Sequence, residues 1–125
     1  MTENQISYLI RGAIFEVYNE LGPGLFESVY QKVLYHELIN RGLDVLSEVI
    51  VPIYYKTEKI EAGFRIDLLV NKKVLVELKS VETLQKVHHK QILTYLKLTN
   101  LKLGILVNFN SNNIATSIHR KVNRL

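Results

Sequence analysis

Asp67, Glu77 and Lys79 offer two carboxylates and an amine within one short stretch, Phe64 to Lys79, of sequence FRIDLLVNKKVLVELK. The stretch reads as two strands joined by a turn at Asn71-Lys72-Lys73, because runs rich in Val, Ile and Leu flank turn-prone residues. Side chains alternate across a strand. Phe64, Ile66, Leu68 and Val70 therefore share one face of the first strand, and Val74, Val76, Leu78 and Ser80 one face of the second. That face is almost wholly apolar and is expected against the core. The other carries Arg65, Asp67 and Leu69 beside Leu75, Glu77 and Lys79. With the turn confined to Asn71-Lys72-Lys73, Val70 faces Val74, Leu69 faces Leu75, Asp67 faces Glu77 and Arg65 faces Lys79. A one-residue slip would set core residues beside polar ones.

Like charges directly opposite one another destabilise a sheet. Two carboxylates about 4 Å apart repel by roughly 4 kcal/mol at an effective dielectric of ~20. A bound divalent cation turns that repulsion into attraction, which would give the pair a reason to exist. The alternative is diagonal pairing, Asp67 with Lys79 and Arg65 with Glu77, as surface salt bridges contributing about 0–1 kcal/mol each. The strand pair alone leaves both readings open.

The rest of the chain must position these groups. Its 125 residues fit one domain, 1–125, with one core. The absence of cysteine excludes disulfides and thiolate metal sites, so any metal must sit on oxygen or imidazole. There is no basic stretch leading into an apolar core at the start, and no apolar run approaches the ~20 residues that span a bilayer. A cytoplasmic protein is the expectation. The net charge of +4 suits a polyanionic partner such as nucleic acid, weakly.

Thr2 to Gln5 forms a capping-box pattern, and Ile6, Leu9, Ile10, Ala13, Ile14, Val17 and Leu21 follow at helical spacing until Gly22-Pro23-Gly24. A second helix is expected from near Leu25 to Arg41, with Leu25, Val29, Val33, Leu34 and Leu38 on its stripe and Gly42 as terminator. Glu27 lies in its first turn, where a carboxylate complements the helix dipole by about 0.3–1 kcal/mol whatever else it does. Asp44 to Tyr55 reads as a strand, with Pro52 marking an edge or bulge, and Thr57-Glu58-Lys59 as a turn. Thr83 to Leu98 reads as a third helix with Leu84, Val87, Ile92, Leu96 and Leu98 as apolar candidates. Gln91 and Tyr95 share one of its faces, and Lys86, Lys90 and Lys97 gather on another. Leu101 to Asn108 is then a strand, and Ile114 to Val122 a short edge strand or helix. His88 and His89 point to different sides of a helix, so surface or capping roles are expected of them.

The order of these positions resembles the PD-(D/E)XK nuclease superfamily. Asp67 matches its first acidic position and Glu77-Leu78-Lys79 its (D/E)-x-K. Gln91-Ile-Leu-Thr-Tyr95 is similar to the Q-x-x-x-Y of the RecB-type exonuclease branch, and Gly24-Leu-Phe-Glu-Ser-Val-Tyr30 to the signature of the GxxExxY family. The resemblance spans roughly Ile10 to Asn110. It implies an α/β (α+β) restriction-endonuclease-like core: a mixed central sheet with an antiparallel three-strand meander and a right-handed βαβ crossover, flanked by helices.

The resemblance also implies roles. Asp67, Glu77 and the Leu78 carbonyl would bind Mg²⁺ or Mn²⁺, with Glu27 adding a carboxylate directly or through water. Lys79 would orient the attacking water and offset charge on the phosphate. Gln91 and Tyr95 would buttress the site or touch substrate, and Arg65, Lys86, Lys90 and Lys97 would hold phosphates. The expected function is metal-dependent hydrolysis of nucleic acid, DNA foremost, with a homodimer or protein partner supplying substrate selection. The alternative is a non-catalytic nucleic-acid-binding or protein-interaction module that retains the fold.

Overall fold

Helix α1 (Glu3–Leu21) opens on the capping box read from the sequence: Thr2 Oγ1 accepts from the Gln5 N–H, and Gln5 Oε1 accepts from the Thr2 N–H. The computed structural model describes residues 1–125 apart from the side chain of Ala62. Ile6, Ile10, Ala13, Ile14 and Val17 form the buried stripe of α1. Gly22 then takes φ 68, which favours glycine and turns the chain out of the helix. Helix α2 (Glu27–Asn40) buries Tyr30, Leu34 and Leu38. It starts two residues later than the periodicity suggests because Leu25 is held in the loop. The Tyr30 hydroxyl donates to the Gly22 carbonyl and accepts from the Leu25 N–H, while the Ser80 hydroxyl donates to the Leu25 carbonyl.

Five strands follow: β1 (Val45–Tyr55), β2 (Glu58–Val70), β3 (Val74–Lys79), β4 (Leu103–Asn108) and β5 (Ile118–Val122). They form one sheet in the order β1-β2-β3-β4-β5. β3 and β4 are parallel and joined across helix α3 (Lys86–Thr99), and the other neighbours are antiparallel. The meander and the βαβ unit are thus both present, and the domain has the mixed α/β architecture of a restriction-endonuclease-like core. The β1–β2 turn falls at Lys56-Thr57 rather than at Thr57-Glu58-Lys59, with Lys56 in the left-handed region at φ 57. Helix α3 begins at Lys86, not Thr83, because Gln85 is its N-cap and exchanges hydrogen bonds with His88, whose Nδ1 accepts from the Gln85 N–H at 3.0 Å. Ile114–Thr116 is a short 3-10 helix leading into β5.

Helices α1 and α2 cover one sheet face, packing on Val74, Val76, Leu78, Leu103, Ile105 and Val107. Helix α3 covers the other through Ile92 and Leu96, against Leu75 and Leu106. Val29, Val87 and Leu98, placed on apolar stripes by their spacing, are exposed instead. The single-face assignment for β2 also needs correction. Leu68 and Val70 join the α1/α2 core as expected, but Phe64 and Ile66 join the α3 core. β1 changes sides at the same level, Val45 lying in the first core and Val49 and Val51 against the second. Glu48 has φ 54 there and drops out of the ladder between the Ser47↔Leu68 and Val49↔Ile66 pairs. The β1–β2 hairpin coils at this point without changing register and carries its outer half over to the α3 side; a register shift lies further out, between Val51 and Ile53.

Gly104 marks a close contact between α3 and the sheet: a Cβ there would lie 3.0 Å from Ile92 Cδ1 and 3.4 Å from Leu75 Cδ1. Gly104→Ala is expected to overpack this contact and destabilise the domain by about 1–3 kcal/mol, read as a lowered melting temperature. An unchanged melt would show that α3 can lift from the sheet without cost.

Candidate active site

The register read from the sequence holds for Val70↔Val74, Leu69↔Leu75 and Leu68↔Val76, where the β2–β3 ladder ends. Asp67 and Glu77 stand where the strands part, and Arg65 and Lys79 are not paired beyond them. The two carboxylates fill the opening. Asp67 Oδ2 accepts from the Leu78 N–H at 3.0 Å, and Glu77 Oε1 accepts from the Asp67 N–H at 3.2 Å. Each side chain thus takes a backbone donor from the opposite strand in place of a strand carbonyl, which satisfies groups the ladder leaves open. Glu77 is buried at 6% exposure, under the α3 side of the sheet, and Asp67 is half-buried.

Burial raises the Asp67 carboxyl above its ordinary range, against the opposing pull of the Leu78 N–H, a hydrogen bond from Glu77 and the Lys79 charge. Burial likewise raises Glu77, and the neighbouring Asp67 charge adds to it, taking Glu77 up to about 8. At neutral pH the pair therefore holds a proton between them, as expected of two acids sharing one site. Neither diagonal salt bridge forms among the described residues. Arg65 pairs with Glu48 at 3.8 Å, and Lys79 acts on both carboxyls through space.

Gln91 and Tyr95 come to the same place from α3. The Tyr95 hydroxyl is raised above its ordinary pKa by burial first and then by the charges of Glu77 and Asp67, while Gln91, one turn before it, is exposed. The Tyr95 ring stacks on Phe64 with centroids 4.0 Å apart and planes at 10°. The coiling of β2 that moves Phe64 to the α3 side is what makes this stack. Glu27 stands apart: it is exposed in the first turn of α2 and is not among the charges acting on the acidic pair. Among the described residues no group of three or more carboxylate or imidazole side chains converges as a metal cluster. Lys86, Lys90 and Lys97 are exposed along α3, and Arg65 is exposed beside Glu48.

Sequence reasoning did not find several residues that hold the site. Gln31 of α2 donates from Nε2 to Ser47 Oγ at 3.2 Å and to the Asp67 carbonyl at 3.4 Å, tying the fork to the helical layer. Asn108, buried beside Lys79 in the β3–β4 ladder, receives the Val81 N–H and donates back to the Val81 carbonyl. That clamps the chain leaving β3. An Asn ending an otherwise apolar strand was the available signal; Gln31 gave none.

A mixed α/β sheet with a parallel central pair carries an acidic pair and a lysine at the end of its meander. The family model of the PD-(D/E)XK nuclease superfamily matches residues 4–121, and the chain belongs to that superfamily. No curated protein and no solved structure matches it. Nucleases of this superfamily generally use divalent metals and bind nucleic acid. No described helix is long and apolar enough to cross a membrane.

The residues present fit such an ion. The donors at the fork are oxygens alone, from Asp67 and Glu77, which suits a hard divalent cation. Two facing carboxyls, Glu77 buried and Asp67 half-buried, gain most from one.

The raised carboxyls set a pH dependence for the chelated protein. Folded Glu77 keeps its proton up to about 8, whereas an unfolded one loses it near 4.5. Between these values the folded state binds the extra proton. This contribution to stability is full below about pH 4.5 and is lost as pH rises through 8. At about 1.4 kcal/mol per unit the loss is on the order of a few kcal/mol. Glu77→Gln should match wild type in thermal melts near pH 5 and become progressively more stable than it towards pH 8. A difference that does not grow with pH would refute the shared proton.

Proposed function

We propose that the protein is a Mg²⁺- or Mn²⁺-dependent nuclease that hydrolyses phosphodiester bonds of DNA, in the GxxExxY, RecB-type branch of its superfamily. The observation that carries this reading is the buried Asp67–Glu77 pair at the opened end of the β2–β3 ladder, with Lys79 as the cation acting on both. Such a pair costs stability and serves no packing need that apolar residues would not meet better.

Asp67 and Glu77 would hold the ion with their carboxylate oxygens, and Leu78 with its carbonyl. Glu27 would add a carboxylate, directly or through water, from the start of α2. That helix end is tied to the end of β3 by the Ser80–Leu25 hydrogen bond. When bound, the ion supplies an activated water and draws charge from the scissile phosphate. The acidic pair must release its shared proton as the site is loaded, so affinity rises with pH. Lys79 orients the water and offsets charge building on the phosphate oxygens. Tyr95, fixed by its stack on Phe64, would buttress Glu77 and limit water at that side, with Gln91 beside it on α3. Arg65, Lys86, Lys90 and Lys97 offer phosphate contacts along the strand. A homodimer or protein partner would supply further selection, and the cytoplasm is the expected compartment. The position of Glu27 away from the pair favours one rival, a binding module that has kept the fold without turnover.

Single- and double-stranded DNA and RNA incubated with the protein should be cut only when Mg²⁺ or Mn²⁺ is present, and not by Asp67→Ala. Cleavage in chelator would rule out the mechanism, and no cleavage of any substrate would favour the binding module. Lys79→Ala should lower turnover by about 10²–10³-fold while Mn²⁺ affinity, measured calorimetrically, stays near wild type. A wild-type rate would reduce Lys79 to a surface charge.

A further inference from the structure

We propose that the cavity between the start of α3 and the adjoining ends of β4 and β5 binds an unpaired nucleobase of the strand being cut; this rests on the nuclease reading of the Asp67–Glu77 site. The cavity measures about 370 Å³, within the range of small-molecule sites. Its polar lining includes His89, His119, Asn110, Ser111, Asn112 and Ser117.

Strand register places it beside the acidic pair. Glu77 pairs with Leu106, and Leu106 with His119. Cross-strand partners share a face, and Leu106 packs in the α3 core. Glu77, Leu106 and His119 thus form one row on the α3 side of the sheet. Two strand spacings separate the ends of that row, about 10 Å. Lys79, on the same face as Glu77, pairs with Asn108, which lines the cavity. The cavity sits at the carboxyl ends of the parallel strands, where open α/β sheets take their ligands.

Local packing frames the space. His89 precedes Ile92 and Leu96 at helical spacing, so it continues the stripe of α3 that packs on the sheet. There it meets the ring of His119, centroids 4.9 Å apart and planes at 77°. The apolar layer beneath α3 ends in these two imidazoles. Asn108 holds the loops beyond: its Oδ1 accepts from the Val81 N–H at 3.1 Å and the Asn110 N–H at 3.2 Å, and its Nδ2 donates to the Val81 carbonyl at 2.9 Å.

The lining chemistry favours a base over a phosphate. No described lysine or arginine lines the cavity, and an acid, Glu82, does. Both imidazoles are held below their ordinary pKa, by burial first and then by the Lys121 charge, and are neutral at physiological pH. Neutral imidazoles, amides and hydroxyls both donate and accept, as the edge of a base requires. An imidazole can also stack on the face of a base. A base enters such a pocket only after leaving the duplex, so the preferred substrate is single-stranded or frayed at the scissile phosphate.

Binding is measured by anisotropy in the Asp67→Asn background, which separates affinity from turnover. The probes are a labelled single strand, the same backbone with every base removed, and a blunt duplex. Adding His119→Ala should weaken binding of the intact strand about tenfold and leave the abasic strand and the duplex unchanged. Asn112→Ala, at an exposed loop position on which folding does not depend, should lower affinity for the intact strand alone as well. In the wild-type protein at least one of the four deoxynucleosides, added by itself, should move the ring resonances of His89 and His119, and inorganic phosphate should not. Equal losses on intact and abasic strands, or phosphate shifts that match those of the nucleosides, overturn the base pocket and leave the nuclease reading standing. Unchanged strand affinity in both variants, with no response to any nucleoside, overturns it as well. A parent that binds no nucleic acid overturns both.

Discussion

The repulsion between Asp67 and Glu77 is the constraint to which the rest of the domain is fitted. Two carboxyls at a strand fork, one buried and one half-buried, cannot readily both carry charge without help. The fold supplies partial help: backbone N–H groups from the facing strands, a shared proton and the field of Lys79. It withholds a salt bridge, since Arg65 is drawn off to Glu48. The result is a pair whose hydrogen bonds are met but whose two negative charges are not neutralised by an ion pair.

Both layers of helix brace that fork. On one side α2 reaches it through Gln31 and through the loop that Tyr30 and Ser80 pin to the end of β3. On the other, α3 brings Tyr95 over the pair and fastens it against Phe64. The signature from Gly24 to Tyr30 thus has a structural component. Gly24 takes φ 104, and the Tyr30 hydroxyl closes the loop on itself. Of that signature Tyr30 is buried, while Gly24 and Glu27 are exposed in the loop and first turn that Tyr30 holds still.

The coil in the β1–β2 hairpin links fold to chemistry. A flat hairpin would keep Phe64 and Ile66 with Leu68 on the α1/α2 side and leave Tyr95 without its stacking partner. It would also keep β2 paired with β3 past Leu68, with the two carboxyls held in a closed ladder. Coiling at Glu48 and Asp67 parts the strands and exposes two backbone donors that the carboxylates then take.

The sequence by itself determined the element order, the β2–β3 register near the turn, the parallel crossover and the identity of the acidic pair. These follow from local pattern: alternation in strands, helical spacing, caps, and a hydrophobic face that forbids a one-residue slip. It also pointed to Gln91 and Tyr95 as one face of α3. Only the tertiary structure decided that the ladder stops at Leu68, that Phe64 changes sides, that no diagonal salt bridge forms, and that Gln31 and Asn108 hold the site. Strand coiling arises from packing against layers distant in sequence, and alternation carries no trace of it. A hydrogen bond such as Gln31 to the Asp67 carbonyl joins residues 36 apart, a separation no local pattern records. The pKa of Glu77 is decided the same way, because burial and a cross-strand neighbour, not residue type, set it.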